Sequence, residues 1–451
     1  VGSDSVAQLI HFSFGLAITG VLYAFVARYF NRRMALLACM IFWTSPIIGL
    51  ESSAPILDLG WAFYEFMALS AFFRWRDSPQ VRELGVAGLA MGFALSNKNL
   101  AGVGVVLLGF LILFWNLIPS VKWRPMIQQM AVFGFATTLV VLPWYLKNAI
   151  WFGNPVYPFF SGAYGIMGTI RQGSGDLGGW VGMGLGNDWR ALLLFPWNVY
   201  ANWQVFSSPM NRGGPSYFFW LLPLYLFLPK HNRVNELWLV GGMRFFAWWF
   251  FTQNLRYLLP LFPILAFLSA YVLETLITRL RRPSLRMGLV SCVLIFYMIA
   301  FGLHWGFLLV LRENALGFIT GQVSRREYLS QNLLNYPATD FINRNLPADA
   351  KILQLGDARI YYVERAILPD ESHDNWVYLL SLESTLPGIA ARLKSLGITH
   401  VWVSEDDLKY VRLMWKIPGL ESEDNRFNAF REQYLDQVYK DERGYTIFQM
   451  R

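Results

Sequence analysis

The chain has 451 residues, 55% of them hydrophobic, 17% aromatic and only 15% charged, with a mean hydropathy of +0.35, which excludes a water-soluble globular protein and points to a polytopic membrane protein. A formal net charge of +8 is no sign of nucleic-acid binding here, because the Lys and Arg residues stand in short clusters between apolar runs, where they set topology. The two cysteines, Cys39 and Cys292, both lie inside apolar runs and offer neither a disulfide nor a metal site.

Ten apolar segments can be marked, at roughly 5–27, 34–50, 57–74, 84–97, 99–116, 128–147, 215–229, 236–251, 256–279 and 287–311. If every one spans, five basic clusters share one face: Arg28, Arg32 and Arg33; Arg74, Arg76 and Arg82; Lys122 and Arg124; Lys230 and Arg233; and Arg279, Arg281, Arg282 and Arg286. The positive-inside rule makes that face cytoplasmic. The opposite face collects Glu51 and Asp58, then Lys98, then the stretch around Lys147 with its long following loop, then Gln253 to Tyr257, and lastly everything beyond Arg312. Any chemistry belongs there. An even number of spans puts both ends outside, yet the sequence starts at Val1 without an initiator Met, a basic n-region or a signal peptide. The reading therefore expects one further helix and an outer loop upstream, with Ser3 or Asp4 capping the first visible helix.

His11 lies about two turns in from the outer end of the first span, where a lone histidine reads as a hydrogen-bonded core residue before it reads as a base. The next two segments flank LESSAPILDL, which brings Glu51 and Asp58 into one short outer loop, either as functional carboxylates or as residues that begin or cap helices. Glu65, two turns deeper, must pair with a cation or be protonated, because an isolated carboxylate in hydrocarbon is too costly. In GLAMGFALSNKNLAGVGVVLLG two short glycine-containing segments hinge at Ser96 to Asn99 and leave Lys98 just below the outer surface.

PWYLKNAIWFGNPVYPFF, Pro143 to Phe160, is where a long apolar segment reaches water and gathers Lys147, Asn148, Asn154 and aromatic rings. A cation there meets lipid phosphates while the rings sit at headgroup level. The long outer loop at 161–214 follows, with ten glycines between Gly162 and Gly186, which predicts a mobile loop of the kind that serves as a lid or acceptor groove. Within it the apolar run Trp189 to Phe206, interrupted by Pro196, reads as interfacial. The eighth segment leads out to TQNLRYLLPLFPILAF, with Arg256 and Tyr257 at the outer boundary. Three outer cations, Lys98, Lys147 and Arg256, together predict a phosphate site in one outer-facing cavity.

Three of these stretches carry a family resemblance. PWYLKN with GNPVYP resembles the "Pro-Trp, two residues, basic, Asn, then Gly-Asn-Pro-x-Tyr-Pro" signature of GT-C glycosyltransferases, and GLAMGFALSNK is similar to their "Gly-Leu-Ala-x-Gly-x-Ala-x-x-(Thr/Ser)-Lys" element except that Asn97 intervenes before Lys98. Arg256, Tyr257, Pro260 and Pro263 match an "Arg-Tyr-x-x-Pro-x-x-Pro" element of the same family. The resemblance, to protein O-mannosyltransferases and ArnT-like transferases, covers most of residues 1–311 and implies an enzyme that takes a sugar from a polyprenyl-phosphate carrier with inversion. It implies that Lys98, Lys147, Asn148, Arg256 and Tyr257 bind the donor phosphate. The family's main catalytic Asp falls upstream of Val1, which leaves Asp58 and Glu51 as secondary acidic positions that orient acceptor or sugar. No metal or firm cofactor is implied; the partners are a lipid-linked sugar donor and an unknown extracytoplasmic acceptor (lipid, glycan or protein), with no nucleic acid. The implied location is the plasma (inner) membrane, multi-pass.

Beyond Arg312 the pattern is that of a soluble domain. KILQLG, ARIYYVERAIL, ITHVWVS and YTIFQM read as strands, and Ala338 to Arg344, Leu382 to Leu396 and about Arg426 to Val438 as helices, with a parallel βαβ unit between the first and third strand signals. It has no Gly-rich phosphate loop. His373-Asp374 and Glu405-Asp406-Asp407 lack the spacing of metal ligands and read as solvated loops. The expected fold is thus an all-α polytopic membrane domain of about ten spans, GT-C-like, over 1–311, then a small extracytoplasmic α/β domain over 312–451. Two other classes remain: a lipid or polysaccharide transporter, which the lack of internal repeats disfavours, and an O-antigen ligase or polymerase, which the loop's Arg171, Arg190 and Arg212 without any His disfavours.

Overall fold

The computed structural model describes residues 4–117, 123–157, 184–207, 218–280, 285–370, 375–406, 408 and 420–451. Expectations placed on Val1, Lys122, Arg171, Arg212, Arg281, Arg282, His373, Asp374 and Asp407, and on most of the loop at 161–214, fall outside these residues. The chain forms two compact units, Val1–Val156 with Trp180–Leu309, and Tyr157–Gly179 with Val310–Arg451.

In the first unit α1 (Asp4–Tyr29) is followed by α2 (Arg32–Trp43) and α3 (Pro46–Ser53), which meet at 67°. The bend falls where Ser45 precedes Pro46, whose missing N–H suits the start of a helix and not its interior. Then come α4 (Asp58–Asp77), α5 (Val81–Asn97), a 3-10 turn (Asn99–Ala101) leading into α6 (Gly102–Leu117), and α7 (Trp123–Phe152), which runs through Pro143. Further on are α8 (Trp189–Ala201), the short α9 (Phe218–Leu221), α10 (Asn232–Phe251), a 3-10 turn (Leu255–Leu261), α11 (Phe262–Leu280) and α12 (Leu285–Arg312). Asp188 caps α8 through the Ala191 N–H at 2.6 Å, and its Trp189, Leu193, Leu194 and Trp197 are exposed, as an interfacial helix requires.

Among the described residues five helical stretches are long and apolar enough to cross a membrane: Asp4–Tyr29, Asn99–Asn116, Trp123–Phe152, Leu255–Thr278 and Ile295–Arg312, with the bent pair of α2 and α3 as a sixth. Ten segments were marked in the sequence. The difference has a physical origin. α4, α5 and α10 occupy three of those segments, but α5 has 17 residues and α4 carries Asp58, Glu65, Arg74, Arg76 and Asp77. The segment at 215–229 is, over its described part, α9 and a 3-10 turn (Leu222–Phe227) and not one long helix.

The charges of α4 are paired inside the unit. At one end Asp77 meets Arg233 and accepts from the Tyr29 hydroxyl at 2.6 Å, and Arg76 meets Glu236 at 2.7 Å. Glu65, which needed a cation, accepts from Arg244 Nε at 2.7 Å. α5 and α7 approach backbone to backbone through glycines: a Cβ on Gly88 would lie 2.5 Å from the Phe133 carbonyl oxygen, and one on Gly92 2.6 Å from Val140 Cβ. Small residues permit this packing where lipid supplies no hydrophobic drive between helices.

The second unit holds α13 (Ala315–Ile319), α14 (Arg325–Asn332), α15 (Tyr336–Asn345), α16 (Asn375–Leu382), α17 (Leu386–Ser395) and α18 (Leu420–Tyr434) around five strands. These are β1 (Lys351–Leu355), β2 (Ala366–Leu368), β3 (His400–Ser404), β4 (Leu435–Lys440) and β5 (Tyr445–Met450), in the order β2-β1-β3-β5-β4. β1 is parallel to β2 and β3, as the βαβ reading requires, and β5 is antiparallel to both neighbours. Two expectations need correction. The strand expected over ARIYYVERAIL shrinks to Ala366–Leu368, and Leu435 to Val438, read as the end of a helix, begin β4. The cause is the hairpin: Asp441 Oδ1 accepts from the Arg443 and Tyr445 N–H groups, Gly444 has φ +80°, and the edge strand pairs with β5.

Two predictions follow from this packing. Gly92→Ile forces α5 from α7 and lowers the thermal midpoint of the detergent-solubilised protein by several degrees, whereas Gly134→Ile, at a position where a Cβ meets nothing within 4 Å, leaves it unchanged. In the second unit burial pushes His400, held 2.8 Å from Thr399 Oγ1, below its usual value of 6.5. Its neutral form is the folded one, so its share of stability is complete above pH 6.5 and lost as pH falls through the lowered folded value. The protection of the β3 amides, referenced to their intrinsic exchange rate at each pH, measures this as a fall between pH 7.5 and 5 that His400→Gln removes.

Candidate functional site

The site forms where the start of α4, the break between α5 and α6, and the turn after α10 meet. Asp58 is the first residue of α4, fully buried, with its carboxylate at the positive end of the helix. Lys98 ends α5 in extended backbone (φ −155°, ψ 124°), which turns its side chain back so that Nζ stands 2.5 Å from Asp58 Oδ1. Arg256 comes from the 3-10 turn after α10, and its Nε stands 2.7 Å from Asp58 Oδ2. One buried carboxylate thus holds two cations from elements far apart in sequence. Tyr257 presents its ring 4.0 Å from Lys98 Nζ, and the buried Trp61 lies 5.3 Å from it, both adding cation–π attraction.

The backbone around the triad is fixed by neutral hydrogen bonds. His11 Nδ1 lies 2.8 Å from the Glu51 carbonyl oxygen, and the Leu59 N–H donates to Nε2 at 3.0 Å. An amide N–H only donates, so Nε2 is the bare nitrogen and the ring is the neutral Nδ1–H tautomer, joining the end of α3 to the start of α4. This is the core role expected of a lone histidine. Asn254 Oδ1 accepts the Arg256 N–H at 3.1 Å, and the Trp248 indole donates to the Asn254 carbonyl at 2.6 Å. Gln253 reaches the loop segment before α8: it accepts from the Leu185 N–H at 2.8 Å and donates to the Gly186 carbonyl at 2.8 Å.

The structure gathers Asp58, Lys98, Arg256 and Tyr257. Glu51 is buried at the end of α3, within electrostatic reach of Asp58, Arg256 and Lys98, and its Oε2 has no hydrogen-bond partner among the described residues. Lys147 has other neighbours: its Nζ lies 3.4 Å from the Trp144 ring and 5.2 Å from the Trp151 ring, both on its own helix and exposed. Asn148 is buried and donates to the Pro155 carbonyl at 3.4 Å, closing the turn after α7. Trp61 was not singled out in the sequence, and Gln253 only as the first residue of the outer stretch Gln253 to Tyr257. Their partners lie in distant segments, and neither residue sits in a pattern that a single sequence displays. Among the described residues no group of three or more His, Cys, Asp and Glu side chains is placed to hold a metal ion.

The fold is similar to that of two solved membrane proteins, and together with the family-model match over residues 2–145 this agrees with the GT-C resemblance read from the motifs. Residues 2–145 match the family model of dolichyl-phosphate-mannose-protein mannosyltransferases. ArnT from Cupriavidus metallidurans bound to undecaprenyl phosphate superimposes with a TM-score of 0.57 at 14% identity, over 98% of this chain and 83% of that one. The archaeal oligosaccharyltransferase AglB from Archaeoglobus fulgidus, in complex with an inhibitory peptide and a dolichol-phosphate, gives 0.54 at 12% identity, over 99% of this chain and 63% of that one. No curated protein sequence matches the chain.

Removing Asp58 leaves two cations facing each other without their carboxylate. Asp58→Ala is expected to destabilise the protein by about 3 kcal/mol, the low end for a broken buried pair because Arg256 is partly exposed. Thermal unfolding in detergent measures it, and adding Lys98→Met to the same chain should recover part of the loss.

Proposed function

We propose that the chain is an integral-membrane glycosyltransferase that takes a sugar from a polyprenyl-phosphate donor and passes it, with inversion, to an acceptor outside the cytoplasm. The observation that carries this reading is the pair of cations, Lys98 and Arg256, held side by side by one buried carboxylate. Lys98 has three donor hydrogens and Arg256 five, and Asp58 takes one from each. The remaining donors suit phosphate oxygens. As the bond between sugar and phosphate breaks, negative charge grows on the phosphate, and cations already in place stabilise it without reorganisation.

Asp58 acts here as the fixed counter-charge that aims both cations. It is fully buried and engaged at both oxygens, so it takes no proton from an acceptor. Glu51, beside it, is the residue left to meet the hydroxyls of sugar or acceptor. Lys147, flanked by exposed Trp144 and Trp151, anchors the outer end of α7 among lipid headgroups. The similarity to ArnT and AglB, whose solved forms hold undecaprenyl phosphate and a dolichol-phosphate, supports the donor class.

Binding of undecaprenyl phosphate to the purified protein in nanodiscs tests the site. Lys98→Ala and Arg256→Ala should each weaken it by about 1.5–3 kcal/mol, the scale of a hydrogen bond to a charged group, or roughly 10–150-fold. Lys147→Ala should change it less than threefold. Equal, small effects at all three positions would remove the phosphate-site reading. The orientation is tested separately by cysteine labelling in 345–370: accessibility only after permeabilisation would place the second unit on the wrong side for an extracytoplasmic acceptor.

A further inference from the structure

Glu65 and Arg244 form a second buried charge pair, away from the candidate site, and no sequence motif includes either residue. Arg244 Nε stands 2.7 Å from Glu65 Oε1, with side-chain exposures of 6% and 13%. The other oxygen of Glu65 and the Nη2 of Arg244 are buried without a hydrogen-bond partner among the described residues. Both residues line a cavity of about 30 Å3 whose other walls include Phe66, Leu108, Val240 and Ile264. That is room for about two waters at roughly 10–15 Å3 each. Gly104 on α6 makes space for the carboxylate, since a Cβ there would lie 2.8 Å from Glu65 Cδ. A charge pair in an apolar setting persists only when its remaining donors and acceptors are met, and water in this cavity would meet them.

The position of the pair gives it a consequence. Glu65 is seven residues after Asp58 on α4, and Arg244 is twelve residues before Arg256 on the chain that leaves α10. α4 is therefore bridged twice to this stretch of chain, to α10 at Glu65–Arg244 and to the 3-10 turn that follows it at Asp58–Arg256. The buried Trp61, between Asp58 and Glu65 in sequence, has Lys98 Nζ at 5.3 Å and Arg244 Cζ at 5.2 Å from its ring, so the two charge clusters share one aromatic side chain. We propose that Glu65 and Arg244 are positioning residues: their pair fixes the height of α10 against α4 and thereby where Arg256 stands against Asp58. The role in donor binding rests on the proposed function; the positioning role does not.

The test uses the full chain in nanodiscs carrying Glu65→Gln with Arg244→Gln, which removes both charges and leaves no unpaired ion. Three quantities are measured: the thermal midpoint, amide exchange of residues 252–261, and affinity for undecaprenyl phosphate. The expected result is a midpoint within a few degrees of the parent, exchange in 252–261 faster by about tenfold with α1 and α7 unchanged, and affinity weaker by about tenfold. A midpoint lowered with uniformly faster exchange would mean that the pair is ordinary core packing, and unchanged exchange in 252–261 would equally overturn the proposal. If the double variant does not fold, Gly104→Ala, which crowds the carboxylate without altering a charge, must raise exchange in the same segment or the proposal falls. Should the parent protein bind no undecaprenyl phosphate, the donor-site reading fails, while the exchange measurement still decides the positioning role.

Discussion

The burial of Asp58 is the constraint on which the candidate site depends. A carboxylate withdrawn from water and kept at the first turn of α4 needs compensation, and it receives the helix end, Lys98 and Arg256 together. That requirement explains local features that otherwise look unrelated. The helix must break after Asn97 so that Lys98 can turn back, which the extended backbone at that residue achieves. The chain after α10 must stop being helical before Arg256, and Asn254 caps the new turn at the Arg256 N–H. His11 must bind backbone and not charge, because it holds the two ends between which the Glu51–Asp58 loop is strung.

Along α4 the same logic repeats. Asp58, Glu65, Arg76 and Asp77 each meet a partner on α10 or just beyond it, at Arg256, Arg244, Glu236 and Arg233. Residue numbers rise along one helix as they fall along the other, so the two elements are antiparallel and the bridges are rungs. A helix rises 1.5 Å per residue, and a slide of one turn would part every rung at once. Lipid-exposed packing is tolerant of sliding because one apolar face resembles another. Paired charges in that setting are intolerant of it, and their cost when unpaired is what makes them specify register.

Much of this was legible in the sequence, to different depths. Membrane class and the GT-C resemblance came from hydropathy, charge clusters and three short motifs around Lys98, Lys147 and Arg256, and the outer placement of the carboxylates and cations is an expectation of the same reading. Glu65 announced its need for a cation but not which one, because Arg244 lies 179 positions away. For the same reason the reading could place Lys98 and Arg256 on one face but not on one carboxylate, 198 positions from Arg256. Lys147 itself was read as one of three phosphate cations; beside its Nζ stand the rings of Trp144 and Trp151, at helical spacings of three and four. β4 was lost to a helical reading because an edge strand with the burial pattern of Leu435–Lys440 has one face open to water and its pairing is decided by the hairpin that follows.

Charge balance gives the proposed donor site a direction. Two cations and the buried Asp58 leave the triad one positive charge in excess, and Glu51 stands within reach to modulate it. A sugar linked through a single phosphate to a lipid carries one negative charge at that phosphate, while the phosphate left after transfer carries about 1.5 to 2, as a phosphate monoester does near neutral pH. Donors that Asp58 does not use therefore gain more from the departing phosphate than from the intact donor, and the gain accrues as the bond lengthens. The triad's single excess charge equals that of the intact donor, so net charge alone does not distinguish it from a site built only to hold the substrate. A site with donors in reserve around a fixed counter-charge favours the charge distribution that appears during transfer, which is the condition for acceleration as distinct from mere retention.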